Sequence, residues 1–385
     1  MSAAIASRPQ VLLAGAFGQG NPGDEALLGA FARALPDHAA VAASTLPAST
    51  HAEHGVEAVR RDDVQALARS IASSDAVVIA GGTIFKTLHP ACGRNRLALL
   101  GRTAALAAAT RALRKPLALV GVGAGRLDSP LATRLTRWVV RRSDLLVLRD
   151  EESAARLAAA GAPTPFRVGA DPAWSLVATP PMAPGRRPAP AGEPRVVVAL
   201  SHVAGGRELA DRVAAGLAPA VAAGLPVQLQ PWQVDLGEGG DERLAASVNH
   251  RLGGRAEILP PPRDLRAASE GFAGARLVVA LRFHALVAAA AAGVPVLAFA
   301  HEPKLEGGAR RLGQPAVSPD APPDALADGV LAALDGIPAP IAAVERERRR
   351  AEEGFRLLRV LLARGRTDEA VELHGLPLRP EEWLG

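Results

Sequence analysis

The sequence predicts an α/β protein built from two Rossmann-like halves, each carrying a parallel sheet. Three observations support this. The chain has 385 residues, about twice the usual length of a single domain. Short apolar runs alternate with longer Ala/Leu/Arg segments of helical period, the pattern of repeated βα units. A proline-rich stretch of small and basic residues, 178–194, can neither extend a helix nor sit in a central strand, so it is the expected linker.

In chain order, strands are expected at 10–15, 39–43, 75–80, 117–121, 144–148 and 165–168 in the first half. The second half offers 195–200, 226–230, 277–281 and 294–299. The expected units are therefore an N-terminal domain 1–177, a linker 178–194, a C-terminal domain 195–338, and a helix and tail 339–385. Within the last segment Ile341 to Arg364 reads as one long helix, with alternating charge at Glu345–Arg350 and apolar spacing at Leu357, Leu358, Leu361 and Leu362. Its run Arg348 to Arg350 can face anionic lipid, but Glu345, Glu347, Glu352 and Glu353 dilute the charge and favour a solvated helix face.

Composition narrows the class further. With 49% hydrophobic and 22% charged residues the chain is neither disordered nor a coiled coil. One cysteine, Cys92, allows no disulfide framework within the chain, and no zinc-type spacing accompanies it, which suits a reducing, cytoplasmic setting. A net charge of +5 is modest for this length, so nucleic-acid binding is not expected. The longest uncharged stretch, Ala285 to Ala300, is interrupted by Gly293 and Pro295 and falls short of a bilayer span, so a soluble protein is expected.

An internal echo marks where chemistry would sit. Asp75–Gly82, Asp144–Arg149 and Arg276–Arg282 are each an apolar run that follows a helical segment. Ligands of open parallel sheets bind beyond the carboxyl ends of the strands, which singles out Gly81, Gly82, Arg149 and Arg282. After the first strand, Gly18, Gly20 and Gly23 match G-x-G-x-x-G, which raises a dinucleotide site. Residues 39–45 hold no acid to bind a ribose, and Asp24 and Glu25 would repel a pyrophosphate at the helix start, so a neutral, hydroxyl-rich ligand fits better. The loop can also simply shape a turn.

Arg282-Phe-His284 ends a Val-rich strand and opens an Ala-rich helix, so a cation, a proton donor and free N–H groups meet at one corner suited to an anion. Taken alone, a histidine at a helix start also serves as a cap or core filler. Lys304 and Lys86 stand out because, apart from Lys115, every other basic residue is Arg.

Taken together, Gly18-Gln-Gly20-Asn21-Pro-Gly23-Asp24-Glu25, Gly81-Gly82, Leu148-Arg149-Asp150-Glu-Glu-Ser153, Asp171-Pro-Ala-Trp174 and Arg282-Phe-His284 with Lys304 resemble the polysaccharide pyruvyl transferases over roughly residues 10 to 313. The chain departs from that family's pattern at Pro22, at Thr83 where a third glycine is usual, at His301 where an aromatic is frequent, and at Ser201-His202 where an arginine is common.

The resemblance implies a GT-B-like fold with parallel sheets facing a central cleft. It implies phosphoenolpyruvate as donor, a sugar of a cell-surface or cell-wall polysaccharide or lipid-linked glycan as acceptor, a cyclic ketal as product, and no metal or cofactor. On that reading Arg282, His284 and Lys304 are catalytic, with His284 as acid and later base. Substrate binding falls to Arg149, Gly18, Gly20, Asn21, Gly23, Asp24, Glu25, Gly81, Gly82 and Lys86. The expected setting is cytoplasmic, with peripheral contact at the inner membrane face left open. A nucleotide-sugar glycosyltransferase and a non-catalytic glycan-binding protein are the competing readings.

Overall fold

The structure, a computed structural model, describes residues 8–88, 95–163, 166–178, 194–204, 208–233, 240–322 and 324–364. Cys92 and most of the proline-rich stretch lie outside them.

The chain forms thirteen strands and thirteen α-helices among the described residues. The first seven strands are β1 (Gln10–Phe17), β2 (Ala39–Ser44), β3 (Glu57–Arg60), β4 (Ala76–Phe85), β5 (Leu117–Ala124), β6 (Leu145–Leu148) and β7 (Arg167–Val168). They alternate with α1 (Pro22–Ala34), α2 (Pro47–His54), α3 (Val64–Ser73), α4 (Ala98–Ala112), α5 (Pro130–Val140) and α6 (Glu151–Ala159). The remaining strands are β8 (Val196–Ala199), β9 (Val227–Gln230), β10 (Ala256–Ile258), β11 (Leu277–Ala280), β12 (Val296–Phe299) and β13 (Ala316–Val317). With them run α7 (Leu209–Ala222), α8 (Gly240–Arg251), α9 (Leu265–Phe272), α10 (Phe283–Ala291), α11 (Pro303–Arg311), α12 (Ala325–Leu334) and α13 (Ile341–Arg364).

Two parallel sheets result, ordered β3-β2-β1-β4-β5-β6-β7 and β10-β9-β8-β11-β12-β13. Their central strands are apolar on both faces, as sheets covered by helices on each side must be. Leu117–Ala124 is buried at every position, and so are Val196–Ala199 and Leu277–Ala280. Sequence order reverses between β1 and β4 in the first sheet and between β8 and β11 in the second. Such reversals open the crevices in which doubly wound sheets take their ligands.

All ten expected strands form. Three more, β3, β10 and β13, are short edge or near-edge strands whose sequences Glu-Ala-Val-Arg, Ala-Glu-Ile and Ala-Val carry too little apolar pattern to read in advance. A second difference concerns Gly81 and Gly82, expected in a loop after the strand. They lie inside β4, which runs on to Phe85 and pairs Gly82 with Val122 of β5. Both have φ near +70 to +80° (70° and 79°), a region glycine enters freely, so the strand turns there without ending.

The residues cluster into two compact units. Among the described residues, one comprises those of 8–15, 31–172 and 351–364, and the other those of 16–30 and 173–350. Helix α13 contributes to both. Its later turns bury Phe355, Leu357, Leu358 and Leu361 in the first unit, where Phe355 meets Phe31 edge to face at 5.0 Å between ring centres. In its earlier turns Arg350 is buried and paired to Glu347 at 3.2 Å, and Glu347 also meets Arg311 at 3.3 Å. Of the basic run, then, Arg350 is internal and Arg349 is the exposed member. No helix among the described residues is long and apolar enough to cross a membrane.

Candidate functional site

In the second unit the glycine loop leads into α1, and its residues divide the work. Asn21 Oδ1 accepts from the Gly23 backbone N–H at 3.0 Å, and the Asn21 amide donates to Asp24 Oδ2 at 2.9 Å. The buried Glu25 accepts from the Gly18 N–H at 2.7 Å, so it closes the loop on itself. Gly18 and Gly20 hold the left-handed φ values of 70° and 65° that this closure needs. Asp24 instead lies in the field of cationic side chains.

Those cations come from the carboxyl ends of two adjacent strands. Arg282 and His284 follow β11 at the start of α10, and Lys304 follows β12 in the first turn of α11. Burial pushes the Asp24 carboxyl above its ordinary value; His284, Lys304 and Arg282, in that order, oppose the rise, and Glu25 adds to it. His284 packs directly on Gly23, where a Cβ would stand 2.0 Å from its Nδ1. Phe283 braces the imidazole edge to face at 5.5 Å. Lys304 pairs with Glu302 at 2.7 Å and keeps a quarter of its side chain exposed. His301 beside them is lowered by burial, against the pull of Glu302.

Arg282 is more tied down than its sequence suggests. Its Nη2 donates to Asp241 Oδ2 at 2.8 Å and to Gln233 Oε1 at 3.3 Å, and its Nε reaches the Leu200 carbonyl at 3.3 Å. Nη1 makes no hydrogen bond among the described residues and remains for a ligand. Asp241 and His202, which the sequence did not single out as a pair, meet at this anchor: His202 Nδ1 lies 2.6 Å from Asp241 Oδ1. A separation of 39 positions hides the pairing from any local motif.

The first unit holds Arg149, only 5% exposed, at the end of β6. Its Nε donates to Asp150 at 2.9 Å and its Nη2 to Thr83 Oγ1 at 2.8 Å, with Asp171 at 4.0 Å. The residue that stands where a third glycine is usual therefore fixes a guanidinium. Burial alone would raise the Asp150 carboxyl, but the Arg149 charge and the hydrogen bonds from Ser153 outweigh it and hold it below the usual range. Gly123 leaves room for the same guanidinium, since a Cβ there would stand 2.6 Å from Nη2. Lys86, half-buried just beyond Gly81 and Gly82, packs its stem on Gly125.

Chemically, the second-unit cluster offers an ammonium held by Glu302, a guanidinium held by Asp241 with Nη1 unbonded among the described residues, an imidazole and two helix N-termini near Asp24. Cations and helix N-termini grouped in this way are able to hold an anion.

Comparison with known proteins shows the family and the fold. The family model described as Polysaccharide pyruvyl transferase matches residues 21–303. Comparison of the sequence with curated proteins finds no significant match. Among solved structures, HepE from Anabaena in complex with UDP-glucose is 15% identical, with TM-score 0.59 over 92% of this chain and 98% of that one. The UDP-GlcNAc 2-epimerase from Methanocaldococcus jannaschii is 12% identical, with TM-score 0.58 over 92% and 99%. That from Neisseria meningitidis bound to UDP-GlcNAc is 12% identical, with TM-score 0.56 over 92% and 100%. At such identities the likeness is one of fold, the GT-B-like arrangement of two parallel sheets.

Proposed function

Because this chain belongs to the polysaccharide pyruvyl transferase family, we propose that it transfers pyruvate from phosphoenolpyruvate onto two hydroxyls of one sugar in a polysaccharide or lipid-linked glycan. The product is a cyclic ketal, and phosphate is released. The observation that carries this reading is the placement of Arg282, His284 and Lys304 at the starts of α10 and α11, beyond the adjacent strands β11 and β12, with His284 packed on Gly23 next to Asp24.

The donor carries a carboxylate and a phosphate. Lys304, as a compact ammonium, and Arg282, through Nη1, supply charge-assisted donors, and the N–H groups opening α10 and α11 add partial positive charge. His284 delivers a proton to the methylene carbon, which leaves an oxocarbenium-like centre at C2 for a sugar hydroxyl to attack. Asp24 accepts from the acceptor's hydroxyls, a role Glu25 is less free to play because it holds the Gly18 N–H. In the first unit Arg149 is assigned to substrate binding by its charge and fixed geometry, with Gly81, Gly82 and Lys86 beside it.

The experiment has two stages. Phosphoenolpyruvate at 100 times its dissociation constant should stabilise the protein by about 2.7 kcal/mol, a readable melting shift. The protein is then incubated with phosphoenolpyruvate and the methyl glycosides of glucose, galactose, mannose and N-acetylglucosamine, while phosphate is assayed and the ketal methyl is sought by proton NMR. A melting shift with UDP-glucose or GDP-mannose and none with phosphoenolpyruvate would establish the nucleotide-sugar reading instead.

A further inference from the structure

The transfer just proposed leaves one proton unaccounted for. Two hydroxyls of the acceptor lose a proton each; one is matched by the proton added to the donor's methylene carbon, and the other leaves on phosphate. His284 can serve the carbon, and a second group is needed near the leaving phosphate and the attacking oxygen.

Strands β8 and β11 are the neighbours between which the order of the second sheet reverses, and Ala199 pairs with Ala280 at their carboxyl ends. His202 stands three residues beyond the end of β8 and Arg282 two beyond the end of β11. Beneath both lies Asp241, wholly buried in the first turn of α8. Its Oδ1 accepts from the His202 backbone N–H at 2.7 Å and from His202 Nδ1 at 2.6 Å. Its Oδ2 accepts from the N–H groups of Trp232 and Gln233, at 3.1 and 2.9 Å, and from Arg282 Nη2 at 2.8 Å.

Five donors on one carboxylate decide its charge. Burial alone would raise it, but the His202 hydrogen bond, the Arg282 charge and the backbone N–H groups hold it far below the carboxylate range. An ionised Asp241 in turn selects the His202 tautomer with Nδ1 protonated, which leaves the lone pair on Nε2. Nε2 has no hydrogen-bond partner among the described residues, and a third of the side chain is exposed. A base oriented by a buried acid, with its other nitrogen open, is the arrangement that proton-transfer sites require. Because Asp241 also grips Arg282, the donor's cation and the open imidazole are set against one frame.

We propose that His202, oriented by Asp241, is a second acid–base residue of this transfer, a proposal that rests on the reaction proposed above. Nε2 takes the proton of an acceptor hydroxyl as that oxygen bonds to C2 of the donor. It returns the proton to the bridging oxygen as the bond from C2 to that oxygen breaks and phosphate departs. Asp241 is the positioning residue.

The test compares full-length wild type, His202→Ala, His202→Gln and Asp241→Asn under the phosphoenolpyruvate and methyl glycoside assay. His202→Ala should lower kcat by about 10² to 10⁴ while the melting shift with phosphoenolpyruvate persists, and added imidazole should restore part of the rate. His202→Gln keeps an N–H for Asp241 but has no proton to move, so it must lose turnover as well. Wild-type turnover in either His202 variant overturns the proposal, and so does a loss in His202→Ala that imidazole leaves untouched. If wild type itself forms no ketal and shows no shift with phosphoenolpyruvate, the transfer reading fails first and takes this assignment with it.

Discussion

Replacing Gly23 by alanine tests whether the placement of His284 sets the rate. The residue lies in the first turn of α1 at ordinary helical φ, so the backbone accepts alanine without strain. The obstacle is the imidazole: an added Cβ would stand 2.0 Å from His284 Nδ1, 2.6 Å from Cγ and 2.9 Å from Cε1. Ordinary contacts lie near 3.5 Å, so the ring must retreat by about 1.5 Å. Displacement of a reacting group by about 1 Å costs roughly 10²-fold in rate, and that is the loss expected in kcat.

Stability should change far less. Alanine in a helix gains about 0.5 to 1 kcal/mol over glycine, against about 1 to 3 kcal/mol for overpacking, so a net loss within about 2 kcal/mol is expected by urea titration. Lys304 and Arg282 are not displaced, and the melting shift with phosphoenolpyruvate should survive. Gly101→Ala is the control: in α4 a Cβ there meets nothing within 4 Å, so it should stabilise by about 0.5 to 1 kcal/mol with activity unchanged. A Gly23→Ala enzyme that turns over within twofold of wild type would refute the premise that the position of His284 governs the chemistry.

Other expectations follow from the same geometry. Lys304→Arg replaces a compact ammonium by a planar fork, and losing one charge-assisted hydrogen bond of about 1.5 kcal/mol should raise the KM for phosphoenolpyruvate about tenfold. Asp24→Asn should raise the melting temperature at neutral pH. The folded carboxyl is raised by burial, so wild-type stability falls as pH rises from the unfolded value through the folded one, and the variant's advantage should vanish near pH 3 in a pH series. Asp150→Asn keeps a cap on α6 but removes the carboxylate 2.9 Å from the Arg149 guanidinium, 5% exposed, while Asp171 stays at 4.0 Å. It should cost about 3 to 5 kcal/mol at pH 7. Because the folded Asp150 carboxyl is lowered, that difference should shrink as pH falls below the unfolded value of about 3.9, where wild type loses the same stabilisation.

The central strands were legible because burial on both faces writes itself as unbroken Val/Ile/Leu runs, and α13 because its charge and apolar periods agree over twenty-four residues. The edge strands β3 and β10 were not, since at least half of their residues are exposed and their composition tracks solvent more than sheet. In the site, residue type pointed to chemistry but not to allegiance. Asp24 and Glu25 look interchangeable in sequence, yet a helix turns successive side chains about 100° apart. One therefore faces the cations while the other closes the glycine loop. Arg282 reads as a free cation because its partner, Asp241, sits in a Gly/Glu/Asp-rich segment with no apolar pattern to mark it as buried.

Helix starts carry a further argument. A positive charge in the first turn opposes the helix dipole and costs about 0.3 to 1 kcal/mol at each exposed site. Three helices follow the rule: α1 opens with Asp24 and Glu25, α6 with Glu151 and Glu152, and α8 with Asp241 and Glu242. The start of α10 instead has Arg282 at its cap and His284 in its first turn, and α11 has Lys304. Asp241, Glu302 and Asp24 offset those charges, which means further acids were positioned to hold an arrangement that folding alone disfavours. At α10 and α11 the opposing charges stand on adjacent strands β11 and β12, at one end of one sheet, whereas Arg266 in the first turn of α9 is exposed and paired to Glu270. On the proposed function, a bound donor anion would offset the cost repeated at these neighbouring helix starts, because the dipoles and the cations then act in the same direction.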